Sequence, residues 1–213
     1  ITINNIGIVS SGSTTLVDYG GWLCQTYFGN QISNGTLTIQ NCYSTGAISG
    51  ELSGGICGSY YGNKVSGGIF EVNNCYSTGE IGGNAGGIVG GVYGIQNSGA
   101  TMTIQDCYST GNMSGRYSGG ICGTTYGQSA SGGIMTVNNC YSIGIISGSD
   151  SGGIFSDYYG YSVSRGTFEV NNCYSTGIIS GSNSGGIGGS YYGTGASGGT
   201  FEVNNCYSLG VID

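Results

Sequence analysis

The sequence predicts an all-β parallel β-helix, a β-solenoid with ~33-residue coils and three short strands per coil. The first observation is a tetrapeptide that returns six times, from Asn41-Cys42-Tyr43-Ser44 to Asn205-Cys206-Tyr207-Ser208. Its cysteines stand at Cys42, Cys75, Cys107, Cys140, Cys173 and Cys206, at intervals of 33, 32, 33, 33 and 33 residues. The second is glycine, 48 of 213 residues, placed at fixed phases of that period. Glycine at this density opposes helices by about 1 kcal/mol per residue. The third is strict apolar alternation, as in Phe168-Glu169-Val170 and Phe201-Glu202-Val203, which marks half-buried strands.

Each coil is expected to carry three strands. The alternating strand supplies one inward column, Leu37, Phe70, Met102, Met135, Phe168 and Phe201, and a second, Ile39, Val72, Ile104, Val137, Val170 and Val203. Another strand runs from the cysteine to the isoleucine of Gly-x-Ile-Ser-Gly, with the column Ile48, Ile81, Met113, Ile146, Ile179 and Ile212. The last is Gly-Gly-Ile-x-Gly-x-Tyr-Tyr-Gly, aligning Leu23, Ile56, Ile88, Ile121, Ile154 and Ile187. Strands pair with their counterparts one coil away at ~4.8 Å, so like residues stack. The crossover rule predicts a right-handed winding. The chain reads as one solenoid domain, residues 1–213: an irregular first coil over 1–20, regular repeats over 21–205, and the start of an incomplete coil over 206–213. Neither end carries an evident cap, which predicts stacking on further coils.

Stacking turns the tetrapeptide into ladders. Asn41, Asn74, Asp106, Asn139, Asn172 and Asn205 should form an amide ladder, with Asp106 as a weak rung because a carboxylate cannot donate. The six cysteines of the tetrapeptide should form a core ladder, since free thiols pack as small apolar groups. Cys24, Cys57 and Cys122 lie in another strand, and Cys24–Cys57 is the pair best placed for a disulfide. Tyr43, Tyr76, Tyr108, Tyr141, Tyr174 and Tyr207 predict one aromatic column; Phe28, Tyr61, Tyr93, Tyr126, Tyr159 and Tyr192 predict a second.

Composition narrows the function classes. Three basic residues against ten acidic ones, with a net charge of −7, argue against a nucleic-acid partner. No apolar run approaches the ~20 residues of a membrane helix. Without histidine or Cys-x-x-Cys pairs, metal ligation has no motif. No cofactor is expected. Glu169 and Glu202 should stack on one outer face, in a column with Glu71, Thr103 and Thr136. Like charges placed opposite one another repel, which points to a cation or to a basic neighbour such as Arg165. Polysaccharide-cleaving enzymes on this fold concentrate non-repeating charges in one groove, whereas these acids follow the repeat, so catalysis is not expected. Thr45, Thr78, Thr110 and Thr176 make a row broken by Ile143 and Leu209, a partial version of an ice-binding face. Asn34 and Asn112 open N-glycosylation sequons, which matter only for a secreted chain.

The Gly-Gly-Ile-x-Gly phases (Gly54–Gly58, Gly86–Gly90, Gly119–Gly123), each followed by Asn-Cys-Tyr-Ser-Thr-Gly or a close variant, resemble the GLUG repeat of bacterial surface proteins. The resemblance extends from about Gly21 onward, with departures at Phe155-Ser156 and Gly188-Gly189. It implies a surface-exposed repeat module and no catalytic residues. The expectation is therefore a secreted structural rod, extracellular or at the cell surface, that polymerises end to end or forms an adhesin stalk. The alternative is a module binding ice or carbohydrate through outward Tyr and Thr rows.

Overall fold

The computed structural model describes residues 1–10 and 15–213. It is all-β, a parallel solenoid of about 6 turns at ~33-residue spacing. Among the described residues, fourteen strands form two seven-stranded sheets. The first sheet takes one strand per coil: β1 (Thr2–Asn4), β3 (Thr36–Gln40), β5 (Ile69–Asn73), β7 (Thr101–Gln105), β9 (Ser131–Asn138), β11 (Arg165–Asn171) and β13 (Thr200–Asn204). The second is built from Tyr-Ser dipeptides, β4 (Tyr43–Ser44), β6 (Tyr76–Ser77), β8 (Tyr108–Ser109), β10 (Tyr141–Ser142), β12 (Tyr174–Ser175) and β14 (Tyr207–Ser208), with β2 (Gly7–Ile8) at its edge. All pairings are parallel, and like phases stand opposite one another, Phe70 opposite Met102 and Tyr76 opposite Tyr108, with one bulge between Arg165 and Thr167 where β11 meets β9.

The three-strand coil of the sequence reading is only partly realised. The strand after the cysteine is two residues long, and the Ile48 column joins its neighbours through single bridges, as do the Gly54 and Cys57 columns. Backbone conformation explains this. Each coil places non-glycine residues in the left-handed region at fixed phases, for example Asn74 (φ 49°), Asn84 (φ 55°), Val92 (φ 66°) and Gln96 (φ 55°). A left-handed residue ends an extended run and turns the chain, so corners replace part of the predicted strands.

The interior holds two apolar columns. The larger joins the Phe70 and Val72 columns to the cysteines, the Ile56 column and Tyr61, Tyr93, Tyr126 and Tyr159. The smaller contains Ile48, Ile81, Ala85, Met113, Ile146 and Ile179, with Trp22 packed against it. Fully burying one such side chain stabilises by about 1.5–3 kcal/mol. The Tyr61 column is thereby a correction to the reading of tyrosines as outward rows: Tyr61, Tyr93 and Tyr126 are each 1% exposed.

The Gly-Gly-Ile phase has a steric cause. A Cβ built on Gly87 would lie 2.0 Å from the Gly120 carbonyl oxygen and 2.7 Å from the Ser109 side chain. By contrast, a Cβ on Gly83 meets nothing within 4 Å. Gly87→Ala should therefore cost about 3 kcal/mol or more, whereas Gly83→Ala should be neutral or stabilise by about 0.5 kcal/mol. Urea denaturation of the two variants beside the parent checks the contrast.

Candidate functional site

The outer surface consists of columns whose chemistry is set by the residue repeated on each rung. Along the amide ladder, Asn74 Nδ2 donates to Asn41 (2.6 Å), Asn139 to Asp106 (3.0 Å) and Asn172 to Asn139 (3.2 Å), while Asn41 Nδ2 reaches across to Asn4 Oδ1 of the adjoining column (2.9 Å). Asp106 accepts from Asn139 but offers no proton to Asn74. It takes its other bond from Gln105 Nε2 at 3.0 Å. The ladder positions share a left-handed backbone, φ 49–55° from Asn41 to Asn205, which Asn and Asp tolerate better than other side chains. A second amide column adjoins it, with Asn171 Nδ2 donating to Asn138 Oδ1 and Asn204 Nδ2 to Asn171 Oδ1, both at 3.1 Å. Together they line a shallow depression of about 580 Å³.

The glutamates draw on this second column. Asn171 donates to Glu169 at 3.2 Å, and Asn204 to Glu202 at 3.0 Å. Amide donors thus occupy the place that the sequence reading gave to Arg165 or a cation. Among the described residues the ion pair is Arg116–Asp150, Nε to Oδ2 3.0 Å. Arg116 also lies over the Tyr117 ring, 4.2 Å from its centroid.

The Tyr43 column stacks on the outer face with ring centroids 4.9–5.3 Å apart and planes within 6°. Of the threonine row, Thr78 and Thr176 are exposed, and Ile143 (47%) and Leu209 (70%) leave it discontinuous. Asn34 and Asn112 are both exposed. Asn112 Oδ1 accepts the Ile145 N–H at 3.0 Å.

All nine cysteines carry free thiols. Cys42, Cys75, Cys107, Cys140 and Cys173 form a continuous buried column, and Cys206 on the last rung is half-buried. Backbone N–H groups of Cys75, Cys140 and Cys173 approach the sulfur one coil on at 3.4 Å. Cys24 and Cys57 face each other across a parallel bridge, both buried. Burial pushes the Cys57 and Cys122 thiols up, so they are protonated and poorly nucleophilic. Among the described residues no group of three or more Cys, Asp or Glu side chains could hold a metal ion.

Two features escaped the sequence reading. One is a third aromatic column, the first tyrosine of Tyr-Tyr-Gly, where Tyr27 stacks on Tyr60 (4.7 Å) and Tyr158 on Tyr191 (4.9 Å). The doubled tyrosine was the available signal: the first ring, on a left-handed corner residue (Tyr60 φ 60°), lies outside, while the next, Tyr61, is buried in the core. The second is Asp157, 1% exposed, at a phase that is Ser59, Gly91, Thr124 and Ser190 in other coils. Its Oδ1 accepts from the Thr124 hydroxyl, while Oδ2 lacks a hydrogen bond of good geometry. Burial raises its pKa to about 6. The Thr124 bond opposes that rise, and the nearby Asp150 charge adds to it. Asp150 itself is held below the usual carboxylate range: burial works against ionisation, but bonds from Arg116, Asn183 and Ser190 outweigh it.

Compared with protein-family models, curated proteins and solved structures, the chain matches none.

Two outcomes follow from these environments. Asp157 has a folded pKa of about 6 against ~3.9 unfolded. The folded state thus holds its proton longer, and stability falls as pH rises from about 4 to 6. Asp157→Asn should remove that decline and stabilise by about 2 kcal/mol at neutral pH, read from denaturation midpoints across the pH range. In native protein, iodoacetamide should modify Cys206 well before the other eight thiols, with all nine reacting in guanidinium; peptide mass mapping reads the order.

Proposed function

We propose that the chain is a non-catalytic structural solenoid, a secreted rod segment whose terminal coils stack on further coils. The observation that carries this reading is the continuity of the columns. Strands of both sheets and the apolar columns between them stack coil on coil from β1 to β13 and from β2 to β14, a geometry that any further coil would extend. Unpaired parallel edges with apolar neighbours associate readily with matching edges. The occupant would be either a second copy or more coils of the same polypeptide, as in an adhesin stalk. Extracellular or cell-surface location and a GLUG-type classification belong to the same proposal. They rest on the Gly-Gly-Ile and Cys-Tyr-Ser-Thr-Gly phases and on the low charge.

A second reading, a carbohydrate-binding module, is favoured by the outward aromatic and amide columns. Ice binding is less well supported, because Ile143 and Leu209 interrupt the threonine row.

Sedimentation velocity over a wide concentration range, paired with negative-stain microscopy, tests the rod. Lengthening particles of constant width, with Cys206 becoming protected from alkylation as they form, are expected. Strictly monomeric protein at high concentration would remove self-stacking and leave only the longer-polypeptide form of the proposal.

A further inference from the structure

The third aromatic column is incomplete. Tyr27 and Tyr60 occupy its first two rungs and Tyr158 and Tyr191 its last two, but Val92 and Thr125 stand between them. The missing rings open a trough of about 630 Å³ along the rod axis, reaching from Tyr27 to Thr125 and Gln128. Within the column, the Tyr60 ring is stacked on Tyr27, and its next rung carries no aromatic ring.

The trough is rich in carboxamides. Three residues after each member of the tyrosine column the rungs carry Asn30, Asn63, Ile95 and Gln128, and the lining also includes Gln31 and Gln96. Asn63 is only 4% exposed, and its Oδ1 has no partner. The Asn30 Oδ1 is likewise buried and unbonded. Buried acceptors of this kind are unfavourable when left unmatched, so a ligand hydroxyl reaching them would be favoured. In the next coil the phase of Gln128 is occupied by Tyr161, which meets Tyr158 edge-on at 5.1 Å and 90°. That pair lies one rung beyond the trough lining.

We propose that this trough binds a linear oligosaccharide lying along the rod. The assignment locates the carbohydrate reading on named residues and rests on that reading, independently of rod assembly. Three features of the lining select a saccharide. Aromatic faces accept the C–H side of a sugar ring, and carboxamides both donate to and accept from its hydroxyls. The backbone N–H groups of Tyr27, Gln31, Tyr60, Lys64, Val92 and Gln96 are already engaged with carbonyls of the next coil. A peptide therefore has no free row of donors to pair with as an added strand. Lys64 is the lone cation in the lining, too little for a phosphate backbone.

Calorimetric titration with cellohexaose, chitohexaose and mannohexaose, at a protein concentration where sedimentation shows monomer, tests the assignment. At least one probe should bind. Val92→Tyr, which places a ring on the first of the two empty rungs and obstructs the middle of the trough, and Tyr60→Ala should each weaken that binding roughly tenfold or more. Tyr191→Ala, outside the trough, should change it less than about twofold. Far-UV circular dichroism confirms that each variant retains the fold, and Val92→Tyr guards against a folding artefact because tyrosine already occupies this left-handed position in four other coils. If a probe binds but Val92→Tyr and Tyr60→Ala bind it equally well, the trough is overturned while the carbohydrate reading stands. If none of the three probes binds at about 5 mM, both are overturned.

Discussion

Every coil is held to the next by backbone hydrogen bonds directed along the rod, and this bonding sets the rise at ~4.8 Å. A residue consequently sits over its own counterpart, coil after coil. Side chains that attract copies of themselves are useful there: rings stack, carboxamides chain, thiols and branched aliphatics fill the interior. Side chains that repel their copies are not. The scarcity of charge, the doubled amide columns and the tyrosine stacks all express this single rule.

Where charge does occur, the structure shows how it is accommodated. Glu169 and Glu202 are consecutive rungs of one column, and each receives an amide proton from the asparagine two residues on. Asp150 takes Arg116, Asn183 and Ser190 as donors. Asp157 is buried with a single good donor, so its environment favours the protonated form. Glycine answers a different demand. At Gly87 the neighbouring coil comes so close that no side chain fits, which is why the Gly-Gly-Ile phase is so uniform.

Much of the architecture was legible because a fixed period carries the register with it. The inward columns, the cysteine ladder and the donor–acceptor chain of asparagines follow from alignment alone, and even the broken bond at Asp106 follows from carboxylate chemistry. Strand length was not legible. Left-handed residues such as Leu52, Val92 and Thr125 have no side-chain signature, and they convert predicted strand into corner. Alignment drew a column from only the second tyrosine of Tyr-Tyr-Gly, yet both stack: Tyr61 in the core and Tyr60 on the surface. The trough was invisible for a related reason: it is defined by tyrosines that are absent from two rungs.

The asparagine columns have an orientation as well as a spacing. In each inter-coil bond, from Asn41–Asn4 to Asn204–Asn171, the later coil donates and the earlier one accepts. The carboxamide dipoles therefore add instead of cancelling, much as peptide dipoles do along a helix. Along the rod axis successive peptide groups of a strand point opposite ways and largely cancel, so these side chains give the rod an electrical direction. Its two ends are therefore unlike: one finishes on carboxamide acceptors and the other on carboxamide donors.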